Sequence, residues 1–141
     1  MATFDLEILT PESRVFTGPA EVLLAPGETG YLGVLAHHAP LLVALGVGRL
    51  EAQPAEGARA VFATTGGFLY FRENRAVVLA ESIERGDNID AAEAAQTLDA
   101  ARQEFERSAG DARERARVSF KYAEARVAAA QAASDRGTRP H

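Results

Sequence analysis

The hydrophobic pattern of the chain changes once, and abruptly, just after Ile83. Before that point Phe4, Leu6 and Ile8 alternate with Asp5, Glu7 and Leu9, the period of a half-buried strand. Further short runs rich in β-branched and aromatic residues follow at 14–17, 21–25, 31–35, 41–45, 49–53, 60–65, 68–72 and 76–81. Turn-forming segments separate them, among them Thr10-Pro11-Glu12-Ser13, Pro26-Gly27-Glu28, Pro54-Ala55-Glu56-Gly57 and Gly66-Gly67. Strands this short, with turns this regular, predict an antiparallel β-sandwich or barrel over residues 1–88. The clearest local element is a hairpin, residues 68–72 returning through 75–79, because Asn74 tolerates the positive φ of a tight turn.

Beyond the change, alanine, glutamate and arginine dominate, and residues 89–134 read as two helices. Asp90-Ala91-Ala92-Glu93 has the form of a capping box, and Ala91, Ala94, Leu98, Ala101 and Phe105 follow along one stripe. Ser108-Ala109-Gly110 should close this helix. A second capping box at Asp111–Glu114 should open the next, whose stripe is Ala116, Phe120, Ala123, Val127 and Ala130. A connection this short makes the helices an antiparallel hairpin. A seam made mostly of alanine holds weakly, since each buried methyl contributes only about 0.8 kcal/mol. The hairpin is therefore expected to dock reversibly on the sandwich or on a partner. Residues 135–141 carry no apolar pattern and are expected to be disordered.

Composition narrows the function. There is no cysteine, hence no disulfide, thiolate metal site or cysteine nucleophile. Residues 1–89 hold 6 Lys/Arg against 11 Asp/Glu, and residues 90–141 hold 9 of each. An acidic first part argues against nucleic acid as a partner. The longest apolar stretch, residues 39–47, is too short to span a bilayer, and the acidic N-terminus lacks the basic start of an export signal. No catalytic or nucleotide-binding motif is present, and the chain reads as non-catalytic, with no metal and no cofactor. Gly27, Gly30 and Gly33 lie between strands and read as turns. His37 and His38, adjacent on an extended segment, should face opposite ways, which suits a partner-contact loop stiffened by Pro40 better than a metal site. Glu81 and Glu84 read as a solvated edge.

The run Gly30-Tyr31-Leu32-Gly33-Val34-Leu35-Ala36-His37-His38-Ala39-Pro40-Leu41-Leu42 resembles a signature of the epsilon subunit of bacterial F-type ATP synthases. Residues 4–12 are similar to that family's first strand and turn, and Thr65–Leu69, Val77–Glu81 and Glu84-Arg85 to its last hairpin. The resemblance implies a flattened ten-stranded sandwich that grips the shaft subunit gamma and rests on the c-ring. Tyr31, His37, His38, Pro40 and Leu42 are then the partner-facing residues. It also implies a movable hairpin that restrains ATP hydrolysis by reaching the alpha/beta head, with Arg113, Arg115, Arg117, Lys121 and Arg126 as its regulatory cations. The chain would sit peripherally on the cytoplasmic face of the plasma membrane. Some relatives bind ATP through an (Ile/Leu)-Asp-x-x-Arg-Ala motif. Here Ile89 and Asp90 match it, but Glu93 stands in place of the arginine, which reverses the charge that would face a phosphate. ATP binding is accordingly expected to be lost or weakened. Two other functions fit the same fold: a free-standing ATP-binding sensor or adaptor, and a small enzyme whose site is assembled from distant residues.

Overall fold

The computed structural model describes residues 2–138. Nine strands precede two helices: β1 (Phe4–Leu9), β2 (Arg14–Gly27), β3 (Gly30–Leu35), β4 (Leu41–Leu45), β5 (Gly48–Pro54), β6 (Ala60–Thr64), β7 (Gly67–Arg72), β8 (Arg75–Ala80), β9 (Ile83–Arg85), α1 (Ala91–Arg107) and α2 (Gly110–Thr138). The strands run in the order β1-β8-β7-β4-β2-β5-β6-β9, with β3 on β2 and a further pairing of β1 with β2 that folds the sheet onto itself.

The count is nine among the described residues, not ten, and two boundaries differ from the sequence reading. The runs at 14–17 and 21–25 are one strand, β2. Its first half pairs with β1 (Phe4 opposite Ala20, Ile8 opposite Phe16), and its second half pairs with β3 and β5. The register on β5 slips between Ala20 and Val22. One strand thus turns the corner between the two layers, a move that a bulge makes easy. Conversely, β9 follows the apparent end of the strand pattern and pairs with β6, Phe62 opposite Arg85. Three residues are too few to display an alternation. The pairings are antiparallel except that of β1 with β8, which run parallel.

Period-2 patterning supplies the core. Phe4, Leu6 and Ile8 of β1 meet Leu23, Leu50, Phe62, Leu69, Phe71 and Val78, all at most 1% exposed. Phe4 packs edge-on to Phe71, their ring centroids 5.7 Å apart. The β7–β8 turn is tight, as expected: Glu73 and Asn74 both have positive φ (52° and 59°), the conformation that matches the twist of a two-residue hairpin. At the other end of β7, Gly67 is obligatory. With φ at 136°, a Cβ there would lie 1.9 Å from the Leu79 carbonyl oxygen.

Strand β6 is buried along its whole length. Phe62 lies in the sandwich core, while Val61, on the other face, is covered by the helices in a second cluster with Ile89, Ala94, Ala129 and Ala130. The alanine seam of α2 therefore serves two neighbours, α1 and the sheet. Small side chains let the α2 backbone come close to the single 3₁₀ turn at Gly86–Asn88 that leads out of β9.

Asp90 caps α1 by accepting the Glu93 amide at 3.0 Å. The corner between the helices is built differently from expectation. Ser108, in extended conformation, closes α1, and Gly110, with φ at 61°, opens α2. Asp111 consequently lies inside the first turn, and Glu114 pairs with Arg117 instead of reaching back to complete a box. Helix α2 also continues through Thr138, so the expected disorder does not hold for residues 135–138. Residues 139–141 lie outside the described residues.

Candidate functional site

Two regions stand apart from the packing just described. The first is the outer face of β1, β8, β7 and β4. The registers Leu9–Leu79, Leu79–Phe68 and Phe68–Ala44 align one apolar row across all four strands, and Val77–Tyr70–Leu42 make a second. Leu42 is 69% exposed, Phe68 53%, Leu79 51% and Tyr70 41%. The face turns polar at Glu7, which continues the second row on β1 and pairs with Arg14 and Arg75, and at Arg72 in the next row. An uncovered apolar stripe four strands wide, rimmed by charge, has the build of a protein interface.

The loop between β3 and β4 abuts this face. His37 adopts a left-handed conformation (φ 65°) instead of the expected extended one, because its amide donates to Asn74 Oδ1 at 2.8 Å. Asn74 Nδ2 in turn donates to the Thr3 carbonyl at 2.9 Å, so one side chain ties the loop, the N-terminal strand and the β7–β8 turn together. The His38 amide donates to the Leu35 carbonyl, and its ring stands edge-on to Phe71 at 5.8 Å. His37, His38 and Pro40 are exposed at the end of the sandwich where Leu42 enters the apolar stripe. Tyr31 lies elsewhere, on β3. It is exposed, its hydroxyl accepts the Arg49 amide at 3.0 Å, and it faces a cleft shared with Lys121 and Ala125 of α2.

The second region is the junction of the sandwich with both helices, and Arg126 is its centre. Its Nε donates to Glu84 Oε1 at 2.9 Å, and its Nη2 donates to Glu93 Oε2 at 2.8 Å. Glu84 belongs to β9, Glu93 to the first turn of α1 and Arg126 to α2, so a single guanidinium joins three elements. The Tyr122 hydroxyl donates to the same Glu84. The Arg126 side chain is 14% exposed. Hydrogen bonds from Arg126 and then Thr97 hold the Glu93 carboxyl below its ordinary value, and the bond to Glu93 raises Arg126. Burial, then the bond to Glu84, raises the Tyr122 phenol.

The sign of the Glu93 shift makes a prediction. A lowered carboxyl contributes fully above its ordinary value of 4.5 and loses that contribution as pH falls through the lowered one. An energy-transfer pair, one label on α1 and one on β5, is expected to report constant separation from neutrality to pH 5 and loosening only in stronger acid.

The remaining cations of the hairpin have local partners or face outward. Arg113 stacks 4.2 Å from the Phe105 ring centroid and donates to the Phe105 carbonyl, closing the corner. Arg117 is held by Glu114, and Arg115 and Lys121 are exposed. Ile89 is buried in the junction cluster. No group of three or more His, Asp or Glu among the described residues is arranged to hold a metal ion.

Residues 3–86 match the protein family described as ATP synthase, Delta/Epsilon chain, beta-sandwich domain. The chain belongs to that family. The ATP synthase epsilon chain of Moorella thermoacetica is 39% identical over 133 residues, 94% of this chain and 99% of the relative, so the likeness extends through the hairpin. That of Pelotomaculum thermopropionicum is 45% identical over 89 residues, 63% of this chain and 66% of the relative. A chain of the Euglena gracilis mitochondrial ATP synthase shares the fold, with a TM-score of 0.78 over 93% of this chain and 82% of that one, at 20% identity. The family match covers the sandwich, and the sequence likeness to the Moorella relative continues through both helices.

Sequence reasoning had named one residue of the apolar stripe, Leu42, and one of the ionic junction besides Ile89, Asp90 and Glu93, namely Arg126. It missed Phe68, Tyr70, Val77 and Leu79, although a signal was present: Phe68-Leu69-Tyr70-Phe71 has no polar residue at either phase of the alternation. It also read Glu84 as a solvated edge, whereas Glu84 accepts from both Arg126 and Tyr122.

Proposed function

We propose that this chain is the epsilon subunit of an F-type ATP synthase. In this reading it is a non-catalytic rotor element that couples the shaft subunit gamma to the c-ring, and its hairpin regulates ATP hydrolysis at the alpha/beta head. The observation that carries the proposal is the apolar stripe Leu9, Leu79, Phe68, Ala44 with Val77, Tyr70 and Leu42, in a chain of this family. A rigid, rimmed face of this kind serves a permanent neighbour, and gamma is the neighbour proposed for it. The polar loop end with His37, His38 and Pro40 is then directed to the c-ring. No helix of the described residues is long and apolar enough to cross a membrane, and a peripheral place on the cytoplasmic face of the plasma membrane, reached through the complex, fits that observation.

The proposal includes no nucleotide cofactor. Arg126, the cation that pairs with Glu93, already has two carboxylates as partners, and a phosphate brought to this junction would meet Glu93. That weighs against a free-standing ATP sensor on the same fold.

The test is retention of partners. Tagged chain recovered from its native membranes under conditions that preserve the synthase is expected to bring gamma, alpha and beta with it; recovery of none of these overturns the reading. A second prediction concerns the hairpin. A chain ending after Ile89 should keep the sandwich and its hold on gamma while raising ATP hydrolysis by the complex several-fold, measured as phosphate release from membranes. Unchanged hydrolysis would show that the hairpin does not inhibit.

A further inference from the structure

The junction around Arg126 does more than connect elements. An arginine side chain only 14% exposed, packed where two helices meet a sheet, calls for anionic partners, because a partly buried charge left uncompensated is destabilising. Here both partners come from the chain itself, and they come from different bodies: Glu84 from the sandwich and Glu93 from α1. Tyr122, one turn before Arg126 on α2, donates to Glu84 as well, so that carboxylate accepts from two positions on the helix. Glu93 is further steadied by the Thr97 hydroxyl at 3.0 Å. The apolar contacts at this junction come mostly from small side chains: Ala94, Ala129, Ala130 and Ala132, with Val127, against Val61 and Ile89.

We propose that Glu84, Arg126 and Glu93 form an internal ionic clamp that holds the hairpin on the sandwich without any bound ligand. The docked state of this chain is then set by ionic strength and by competition for Arg126 from acidic surfaces of a partner. It is not set by the concentration of a nucleotide. With so little apolar area behind it, opening one arm of the clamp shifts the docking equilibrium measurably, and opening both releases α2 from the sheet. The clamp needs no partner subunit, so its test is made on the isolated full chain, and its failure would leave the rotor-subunit reading standing.

The test is amide hydrogen exchange, resolved by segment, with the amides of β7 and β8 as the internal reference. Arg126→Gln is expected to speed exchange across α1 and the second half of α2 by about tenfold or more, the scale of lost charge-assisted hydrogen bonds. Glu93→Gln should speed α1 by about threefold and leave β7 and β8 unchanged, since the side chain is half exposed and only one arm is lost. Raising salt to about 1 M, where screening acts within roughly 3 Å, should loosen the parent hairpin and have no further effect on Arg126→Gln. The inverted set Glu84→Arg, Glu93→Arg and Arg126→Glu should bring exchange back toward the parent rate, which a mere packing role for these side chains would not do. Unchanged hairpin exchange in both Arg126→Gln and Glu93→Gln overturns the clamp. So does a parent hairpin whose exchange slows on titration with ATP or inorganic phosphate, because docking would then depend on an outside anion.

Discussion

A chain carrying Phe68→Glu and Leu79→Glu is expected to fold normally and to lose its shaft partner. The two side chains stand opposite each other on β7 and β8, at the centre of the uncovered stripe, with Leu9 on one side and Ala44 on the other. Both are more than half exposed, so the isolated sandwich gains little from them, and the substitution should change its stability by about 1 kcal/mol or less. In a closed interface the same positions are central. Losing two such anchors costs about 2 kcal/mol each or more, and each new carboxylate must also be desolvated without a partner. Affinity for gamma should therefore fall by about a thousandfold or more, read by retention on immobilised gamma or by release from stripped membranes. Leu35→Glu is the control. Leu35 is 58% exposed as well, but it lies on β3, which pairs with β2 and with none of the four strands of the stripe, and its substitution should leave retention intact. Equal loss from both changes would place the gamma contact elsewhere.

How far the sequence shows these features depends on whether they are local. The strand positions, the β7–β8 turn and the Asp90 cap are each written within a few consecutive residues, and each is where alternation, turn chemistry or capping puts it. The strands the sequence misjudged were decided by pairing. Nothing between Phe16 and Val22 says that one strand passes from β1 to β5, and Ile83–Arg85 becomes a strand only because β6 offers it an edge. The stripe was half legible. A run such as Phe68-Leu69-Tyr70-Phe71 says that both faces are apolar, but only register tells which face stays uncovered and which rows line up. The junction was least legible. Glu84, Glu93 and Arg126 lie 9, 33 and 42 residues apart, and no local pattern marks them as a set. Even Glu93, conspicuous as a charge reversal in a motif, reads from sequence only as the loss of a ligand contact. In the structure Glu93 makes an internal contact instead, accepting from Arg126.

Replacing Gly86 by alanine is expected to lift the hairpin from the sandwich while leaving both parts folded. A Cβ on Gly86 would lie 2.2 Å from the Ala129 carbonyl oxygen, 2.7 Å from its carbon and 3.1 Å from the Val61 carbonyl oxygen. All three are backbone atoms, so no side chain can turn aside, and one of the two backbones must move. The sheet side is fixed by the pairing of β6 with both β5 and β9. Helix α2 is held on the sheet by small apolar contacts, by the Tyr122 hydrogen bond to Glu84 and by the Arg126 ion pairs, fewer ties than a paired strand has, so it is the helix that yields. Overpacking of this kind costs about 1–3 kcal/mol. Against docking held by a few methyl groups, that moves the hairpin from mostly docked to mostly free, with exchange of the second half of α2 rising by about tenfold to a hundredfold. The thermal midpoint of the sandwich should change little, because Gly86 lies outside its core cluster. In the assembled synthase a permanently free hairpin is available to the head, so the same change should lower ATP hydrolysis, the reverse of truncation after Ile89. If Gly86→Ala and the truncation moved hydrolysis in the same direction, the docked hairpin would itself be the inhibitory form, and the regulatory half of the proposal would invert.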